Sequence, residues 1–316
     1  MRREFEGGCI KYDMGKITEL LDAINVADEN TEELYEIFRM VEDFDFPVIR
    51  FDIYSGSGLI RQRVNKKDKE FDKVSELNYP PLDCVTGYER ANVPYQPMFY
   101  ACSFPSDYTD KNTPPPRVVS LQETSSFFRD KAASGIERST VSRWEVVSDL
   151  KLVALPFLAD YSMACKDIMT IQEEWNKAVE DNTLNQDGLE LVEYMAREIG
   201  KTFTSNVEYF KIANFVNYLI NVNEKTKGVD GIIYPSVPAA GSGFNVAIKP
   251  SVVDKKIRFV GASLCHLLKK GEESYLHIVN KSISVEEGHI IYQDNTMSDE
   301  EKKMYQTYAE GLVMRN

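Results

Sequence analysis

Arginine and serine side chains mark two segments of this sequence where chemistry could take place. Arg61 and Arg63 alternate with Ile60, Gln62 and Val64, so on a strand both guanidinium groups share one face. A guanidinium group forms paired hydrogen bonds with phosphate, although a solvated strand face has the same pattern. Ser236 follows the apolar run 231–234 and precedes a run of small residues, where a buried strand gives way to a loop. From this spacing alone, an ordinary hairpin with an incidental serine is the simpler interpretation.

The sequence lacks the residue patterns of several common catalytic and binding sites. A Ser-His-Asp hydrolase needs a histidine near its serine, but histidines occur only late in the chain, and no Gly-x-Ser-x-Gly elbow is present. Zinc catalysis is unsupported because no His-Glu-x-x-His motif or cluster of ligands at metal spacing occurs. No Gly-x-Gly-x-x-Gly follows a strand, and the segment 56–58 lacks the spacing and the following helix of a phosphate-binding loop. We therefore expect neither a metal site nor a Rossmann site.

Bulk properties narrow the class of protein. A chain of 316 residues can form one large domain or two small ones. The net charge of −13 argues against general binding of nucleic acids or anionic membranes, while it leaves room for a local basic pocket. The absence of an apolar run long enough for a membrane span or a signal peptide predicts a cytoplasmic protein without a membrane partner. A reducing compartment also suits the scattered cysteines, which form no Cys-x-x-Cys pair: Cys9, Cys84, Cys102, Cys165 and Cys265.

The elements that must position these residues belong to an α+β protein. Apolar spacing predicts two helices within 15–43, the second capped by Asn30 with Glu33. Residues 158–222 are mostly helical in pattern, and Ser205 with Glu208 forms a capping box there. Strand-like segments follow at 256–264 and 274–284, before an acidic helix capped by Ser298. We predict an N-terminal helical extension 1–46, a main domain 47–270 with a helical insertion 158–222, and a C-terminal strand and helix 271–316.

A set of residues in a particular order resembles the RES-domain family, which is named for an arginine, a glutamate and a serine. The resemblance covers most of residues 59–250, with the helical segment as a family-variable insertion. It rests on a strand with Arg61, a Pro80-Pro81 loop, Arg90-x-Asn92, a strand ending in Tyr100-Ala101, Glu123 one turn into a helix that starts near Ser120, Tyr-Pro-Ser-Val with Ser236, and Gly-x-Asn-x-Ala-x-Lys-Pro with Asn245.

The resemblance implies a fold and an activity. The fold would be an ADP-ribosyltransferase-like core of short β-strands with added helices. The activity would be cleavage of the nicotinamide–ribose bond of NAD+, by hydrolysis or phosphorolysis, in a toxin restrained by an antitoxin protein. NAD+ would be a substrate, phosphate would be a second substrate in the case of phosphorolysis, and no metal would be needed.

The resemblance also implies roles for individual residues. Glu123 would stabilise positive charge on the ribose, with Arg61 and Ser236 as further catalytic residues. The binding residues would be Arg63, Arg90, Tyr100 and Asn245.

Two alternatives from other classes remain open at this point. One is an ADP-ribosyltransferase that modifies a macromolecule, and the other is a RES-like protein that binds a nucleotide or a partner without turnover. In each case Arg61, Arg90, Tyr100, Glu123 and Ser236 should converge on one locally positive cleft, because groups that act on one ligand must all reach it.

Overall fold

A computed structural model describes residues 16–42, 48–66, 69–106, 113–157, 165–181 and 185–315 of the chain. Within these residues ten strands form one mixed sheet. The strands are β1 (Ile49–Ile53), β2 (Gly58–Val64), β3 (Phe99–Ser103), β4 (Ser134–Val146), β5 (Leu150–Ala154), β6 (Gly231–Pro235), β7 (Phe244–Ile248), β8 (Ile257–Lys270), β9 (Glu273–Glu286) and β10 (His289–Asp294).

The strands lie in the order β1-β5-β6-β7-β3-β2-β4-β8-β9-β10. All neighbouring pairs are antiparallel except β5 and β6, which are parallel. A parallel pair cannot be joined by a tight turn and needs a long crossover. The helical segment between β5 and β6 supplies that crossover, which explains why so much helix interrupts the strands at this point of the chain.

Helices cover both faces of the sheet. In the described residues they are α1 (Lys16–Ala23), α2 (Thr31–Glu42), α3 (Val74–Leu77), α4 (Pro116–Thr124), α5 (Ser126–Arg129), α6 (Lys166–Glu180), α7 (Gln186–Ile199), α8 (Phe210–Asn217), α9 (Pro250–Lys256) and α10 (Asp299–Ala309), with short 3-10 turns at Val26–Asp28, Leu82–Cys84 and Asn206–Tyr209 and a π-helical turn at Tyr218–Val222. No helix in these ranges is long and apolar enough to cross a bilayer.

Two large apolar cores lie on opposite faces of the sheet. Val153 of β5 belongs to the core formed with α1, α2, α7 and α8. Its neighbours Leu152 and Ala154 belong to the second core, which includes α6 and the inner side of β2 and β4. Successive side chains of a strand point to opposite faces, so one short strand contributes to both cores. The central strands are therefore buried on both sides and provide a rigid base for loops at their ends.

The predicted α+β class is confirmed, and so are several helix starts. The Glu33 amide donates to Asn30 Oδ1 (3.3 Å), and a capping box with Ser298 opens α10. The Ser205–Glu208 box is present, but it opens the 3-10 turn Asn206–Tyr209 ahead of α8. Of the predicted extension 1–46, residues 1–15 and 43–46 lie outside the described ranges, as do 158–164 and 182–184 of the predicted insertion.

Two expectations about the elements are wrong. The strands are not uniformly short, because β4 has 13 residues and β8 and β9 have 14 each, and their mutual pairing supports this length. The helix that carries Glu123 begins at Pro116 instead of near Ser120, with Pro116 at the first position, where a missing amide proton costs nothing. Glu123 consequently lies in the last turn of α4. Beyond residue 270 the sheet continues through β9 and β10.

Candidate functional site

A cleft opens where two neighbouring strands diverge. β2 and β3 pair only at Leu59–Ser103 and Ile60–Cys102, while β2 continues along β4 to its end. The cleft beyond this point has a volume of about 610 Å³, within the range of roughly 300–1,000 Å³ that is usual for small-molecule sites. The sequence-predicted residues that line it are Arg61, Arg63, Arg90, Tyr100, Glu123 and Asn245.

Glu123 is held from one side by two donors. Ser236 Oγ donates to Glu123 Oε1 (2.6 Å), and Asn245 Nδ2 donates to the same oxygen (2.6 Å). Among the described residues Oε2 makes no hydrogen bond, so it is available to a ligand in the cleft. The last turn of a helix disfavours an acid, because the partial charge there is negative. A carboxylate that lies at this unfavourable helix end and is held there by hydrogen-bond donors is typical of a functional site.

Ser236 lies behind Glu123. It has no exposed surface, and its hydroxyl also accepts from the Ala239 amide (3.3 Å). Its own amide donates to the Gly243 carbonyl (2.7 Å), which closes the loop of small residues between β6 and β7. The structure thus brings Ser236 to the site as a group that orients the carboxylate, whereas the sequence suggested direct contact with a ligand.

Asn245 connects Glu123 to a thiol. Asn245 lies opposite Cys102 in the pairing of β3 with β7, and Cys102 Sγ donates to Asn245 Oδ1 (3.1 Å). Burial and the nearby charge of Glu123 raise the pKa of the Cys102 thiol well above its usual value, against a smaller opposing effect of a hydrogen bond with Ser120. The thiol therefore stays protonated and can serve as a donor at neutral pH.

Arg61 and Arg63 bind successive carbonyls at the end of α3. Arg63 Nη1 donates to the Glu76 carbonyl, and Arg61 Nε donates to that of Leu77 (3.1 Å). Carbonyls at the end of a helix lack partners within it, so these contacts stabilise α3. Arg61 Nη1 also donates to the Tyr100 carbonyl (2.7 Å) and thereby bridges the gap between the diverging strands.

Arg61 keeps its charge in spite of this enclosed position. Burial is the main cause that lowers its pKa to about 10, and the neighbouring Arg63 adds to the effect. Glu89 and Tyr100 act in the opposite direction. A guanidinium group with this pKa is protonated at neutral pH, so the cleft retains its positive charge.

Arg90 and Tyr100 are tied together through one turn. The Tyr100 hydroxyl donates to Asn92 Oδ1 (2.6 Å) and accepts from the Ala91 amide (3.1 Å). Burial, with a further contribution from Glu89, raises the Tyr100 pKa well above its usual value, so the hydroxyl remains a donor. The turn that Tyr100 holds carries Arg90, whose Nη2 donates to the Lys201 carbonyl (3.2 Å) just beyond α7.

Most of the residues that line the cleft were not among the sequence-predicted site residues, and Glu89, Tyr234, Cys102 and Tyr209 are four of them. Glu89 adjoins the predicted Arg90, and Tyr234 of β6 lies two residues before the predicted Ser236, a spacing that could have indicated it. Burial raises the pKa of the Glu89 carboxyl, and the charge of Arg61 opposes that shift. Cys102 and Tyr209 carried no local signal, because their partners are distant in sequence.

Comparison with known proteins adds no assignment. No family model matches the chain, and no curated protein sequence matches it. Among the described residues, no group of three or more His, Cys, Asp or Glu side chains could hold a metal ion. The geometry of the cleft is therefore the basis for the function proposed below.

Proposed function

We propose that this protein binds NAD+ and cleaves its nicotinamide–ribose bond, with water or phosphate as the acceptor. One observation carries the proposal: the Glu123 carboxylate, held at Oε1 by Ser236 and Asn245, shares one cleft with Arg61, Arg63 and Arg90. A fixed carboxylate opposite several cations suits a substrate that is anionic at its pyrophosphate and develops positive charge at a ribose.

The chemistry needs a group that stabilises positive charge. As the C1′–N bond breaks, both electrons go to the nicotinamide ring nitrogen, and nicotinamide leaves as a neutral molecule. The ribose then has oxocarbenium character, which a carboxylate stabilises. Glu123 Oε2 would face C1′, while an oxygen of water or phosphate adds there. With water, the products are ADP-ribose, nicotinamide and a proton that passes to solvent.

The arginines would bind the pyrophosphate. An arginine has five N–H donors in a planar fork, so Arg61 retains donors after its contacts with Leu77 and Tyr100. Arg63 lies with its guanidinium carbon 4.8 Å from the centre of the Phe71 ring, which supports it from one side. These cations make the cleft locally attractive to anions in a chain whose net charge is −13.

The wider biological role belongs to the same proposal. The order of the motif residues supports an ADP-ribosyltransferase-like core and a cytoplasmic toxin whose activity an antitoxin protein blocks. Expression in a host cell should then lower cellular NAD+ and arrest growth, and a neighbouring small gene product should relieve both effects. Normal growth with unchanged NAD+, from protein shown to be folded, would count against the toxin role.

The direct test replaces the carboxylate. Glu123→Gln keeps the shape of the side chain and removes its charge, so it should act on the transition state more than on bound NAD+. We expect kcat to fall by about 100- to 1000-fold, with NAD+ binding retained. NAD+ loss should be measured with and without phosphate, beside a binding titration, and Arg61→Ala should mainly weaken binding.

A matched control is Glu145→Gln. Glu145 is a half-buried glutamate that pairs with Arg258 and does not line the cleft, so its variant should behave as the parent does. If Glu123→Gln consumes NAD+ at the parental rate, the assignment of the carboxylate is wrong.

One observation favours a second candidate, a protein that binds without turnover. Arg61, which the motif order assigns to catalysis, already donates to two backbone carbonyls, and these contacts account for its position without a catalytic role. The same assays separate the possibilities. A parent protein that binds NAD+ and consumes none with any acceptor is a binding protein, whereas transfer of labelled ADP-ribose to a macromolecule identifies a transferase.

A further inference from the structure

One wall of the cleft comes from the crossover between β5 and β6. Asn206 and Tyr209 line the cleft, and both belong to the 3-10 turn that follows the Ser205–Glu208 capping box. The turn approaches the opposite wall closely, since a Cβ on Gly87 would lie 2.8 Å from Asn206 Nδ2. A side chain at position 87 would therefore require the Asn206 amide to shift.

Tyr209 presents a supported aromatic ring at this wall. It is half-buried, and Phe203 packs edge-on against it with ring centres 4.6 Å apart. The guanidinium carbon of Arg90 lies 5.4 Å from the centre of the Tyr209 ring and 6.0 Å from that of Tyr234. Arg90 is thus close to both rings.

The same contacts give the order of groups along the cleft. Tyr234 lies opposite Asn245 in the pairing of β6 with β7, and Asn245 Nδ2 donates to Glu123 Oε1 (2.6 Å). The groups therefore run from Glu123 through Tyr234 and Arg90 to Tyr209. In this series of contacts, Arg90 separates the Tyr209 ring from the side of the cleft that holds the carboxylate.

We infer that Tyr209 binds the adenine base of NAD+ by stacking, so that the crossover supplies the adenine subsite. This inference rests on the proposed function. If the nicotinamide ribose lies at Glu123 and the pyrophosphate at the arginines, adenine is the planar group that remains beyond Arg90. Nucleobases stack on aromatic side chains, and Tyr209 lines the cleft beside Arg90.

The kinetic test compares two substrates that contain the same reactive bond. Nicotinamide mononucleotide lacks the adenosine monophosphate half of NAD+. Stacking contributes about 1–3 kcal/mol per base. Tyr209→Leu should therefore raise the KM for NAD+ by roughly 5- to 150-fold with little change in kcat. The KM for the mononucleotide should stay within about twofold of the parental value, and Tyr209→Phe, which keeps the ring, should resemble the parent.

A binding measurement makes the test independent of turnover. ADP-ribose contains the adenine and lacks the scissile bond, so its dissociation constant should rise with Tyr209→Leu by a similar factor. The control Tyr54→Leu removes an exposed tyrosine outside the cleft and should change neither value. If the parent consumes no NAD+, the proposed activity fails, while the ADP-ribose titration still tests Tyr209.

A purely structural role for Tyr209 predicts a different result. If the ring only steadies Arg90, Tyr209→Leu should have no effect on ADP-ribose binding once Arg90→Ala is present. We expect it to weaken binding in that background too. The adenine subsite is wrong if Tyr209→Leu leaves ADP-ribose binding unchanged in the Arg90→Ala protein. It is also wrong if Tyr209→Leu raises the KM for NAD+ and for the mononucleotide by the same factor.

Discussion

At the scale of single residues, the notable feature is the way one amide is oriented. Asparagine can present either its oxygen or its nitrogen to a neighbour. The Cys102 thiol donates to Asn245 Oδ1, which leaves Asn245 Nδ2 to donate to Glu123. The thiol and the amide are both enclosed, with Cys102 3% and Asn245 5% exposed, so water cannot readily substitute for the thiol. Cys102 is thus a positioning residue that acts on the carboxylate through Asn245.

Substitutions at Cys102 should reveal that role. Cys102→Ala removes the donor, and the loss of one hydrogen bond, about 1 kcal/mol, should lower kcat by roughly fivefold with KM unchanged. Cys102→Ser restores a donor and should recover most of the activity. Steady-state kinetics on NAD+ for both variants gives the answer. A serine variant as impaired as the alanine variant would indicate that the thiol matters for packing alone.

At the scale of elements, the position of α4 decides where Glu123 lies. The helix packs against the loop between β6 and β7, and Val119, Cys102 and Ala239 form a small apolar cluster at this contact. The approach is close, because a Cβ on Gly243 would lie 2.7 Å from Val119 Cγ2. Arg129 holds the end of the same helix by donating to the Glu123 carbonyl (3.0 Å). The carboxylate is therefore positioned from both the side and the end of α4.

A methyl group at Gly243 should displace this helix. Gly243→Ala meets Val119, whose branched side chain has little rotational freedom, and overpacking of this kind costs about 1–3 kcal/mol. We expect lower thermal stability and a fall in kcat, because Ser236 and Asn245 would then hold Glu123 less well. Val119→Ala should restore both in the double variant by removing the clash. Failure of the second substitution to rescue kcat would exclude α4 displacement as the cause.

At the scale of the whole molecule, the acidic helix α10 near the end of the chain packs against two histidines of the sheet. Tyr305 of α10 lies with its hydroxyl 3.0 Å from His266 Nδ1, and its ring packs edge-on against His277 with centres 4.9 Å apart. Burial, followed by the charges of Arg138 and His277, lowers the pKa of His266 to about 4. Burial also lowers the pKa of His277, although Glu301 opposes that shift. The folded protein therefore favours neutral histidines beneath α10.

The stability of the protein should depend on pH through His266. An unfolded histidine titrates near 6.5, so between about pH 6.5 and pH 4 the unfolded state binds more protons than the folded state. Stability is then greatest above pH 6.5 and falls as the pH approaches 4. Because the ring is partly exposed, we expect a loss on the order of 1–2 kcal/mol.

Thermal or urea unfolding across this pH range measures the effect. His266→Gln cannot titrate and should flatten the dependence, whereas His289→Gln changes an exposed histidine and should preserve it. A pH dependence that is identical in the parent and in His266→Gln would show that other groups are responsible.

The sequence by itself determined the local features of this protein. The capping residues Asn30 and Ser298 each act on an amide three residues away, so their helices could be predicted from neighbours alone. The alternation of apolar residues predicted the strand that carries Arg61 and Arg63. The residue types at the candidate site could also be recognised from the sequence, because carboxylate, guanidinium and hydroxyl groups define which chemistry is available.

Only the tertiary structure decided how these groups meet. Glu123 accepts hydrogen bonds from two residues that lie 113 and 122 positions further along the chain. One of them, Ser236, is fully buried and orients the carboxylate. The start of α4, the length of β4, β8 and β9, and the reach of Tyr209 into the cleft likewise depend on partners far apart in sequence. Such contacts are selected by burial and strand register across the whole fold, and local sequence preferences do not encode them.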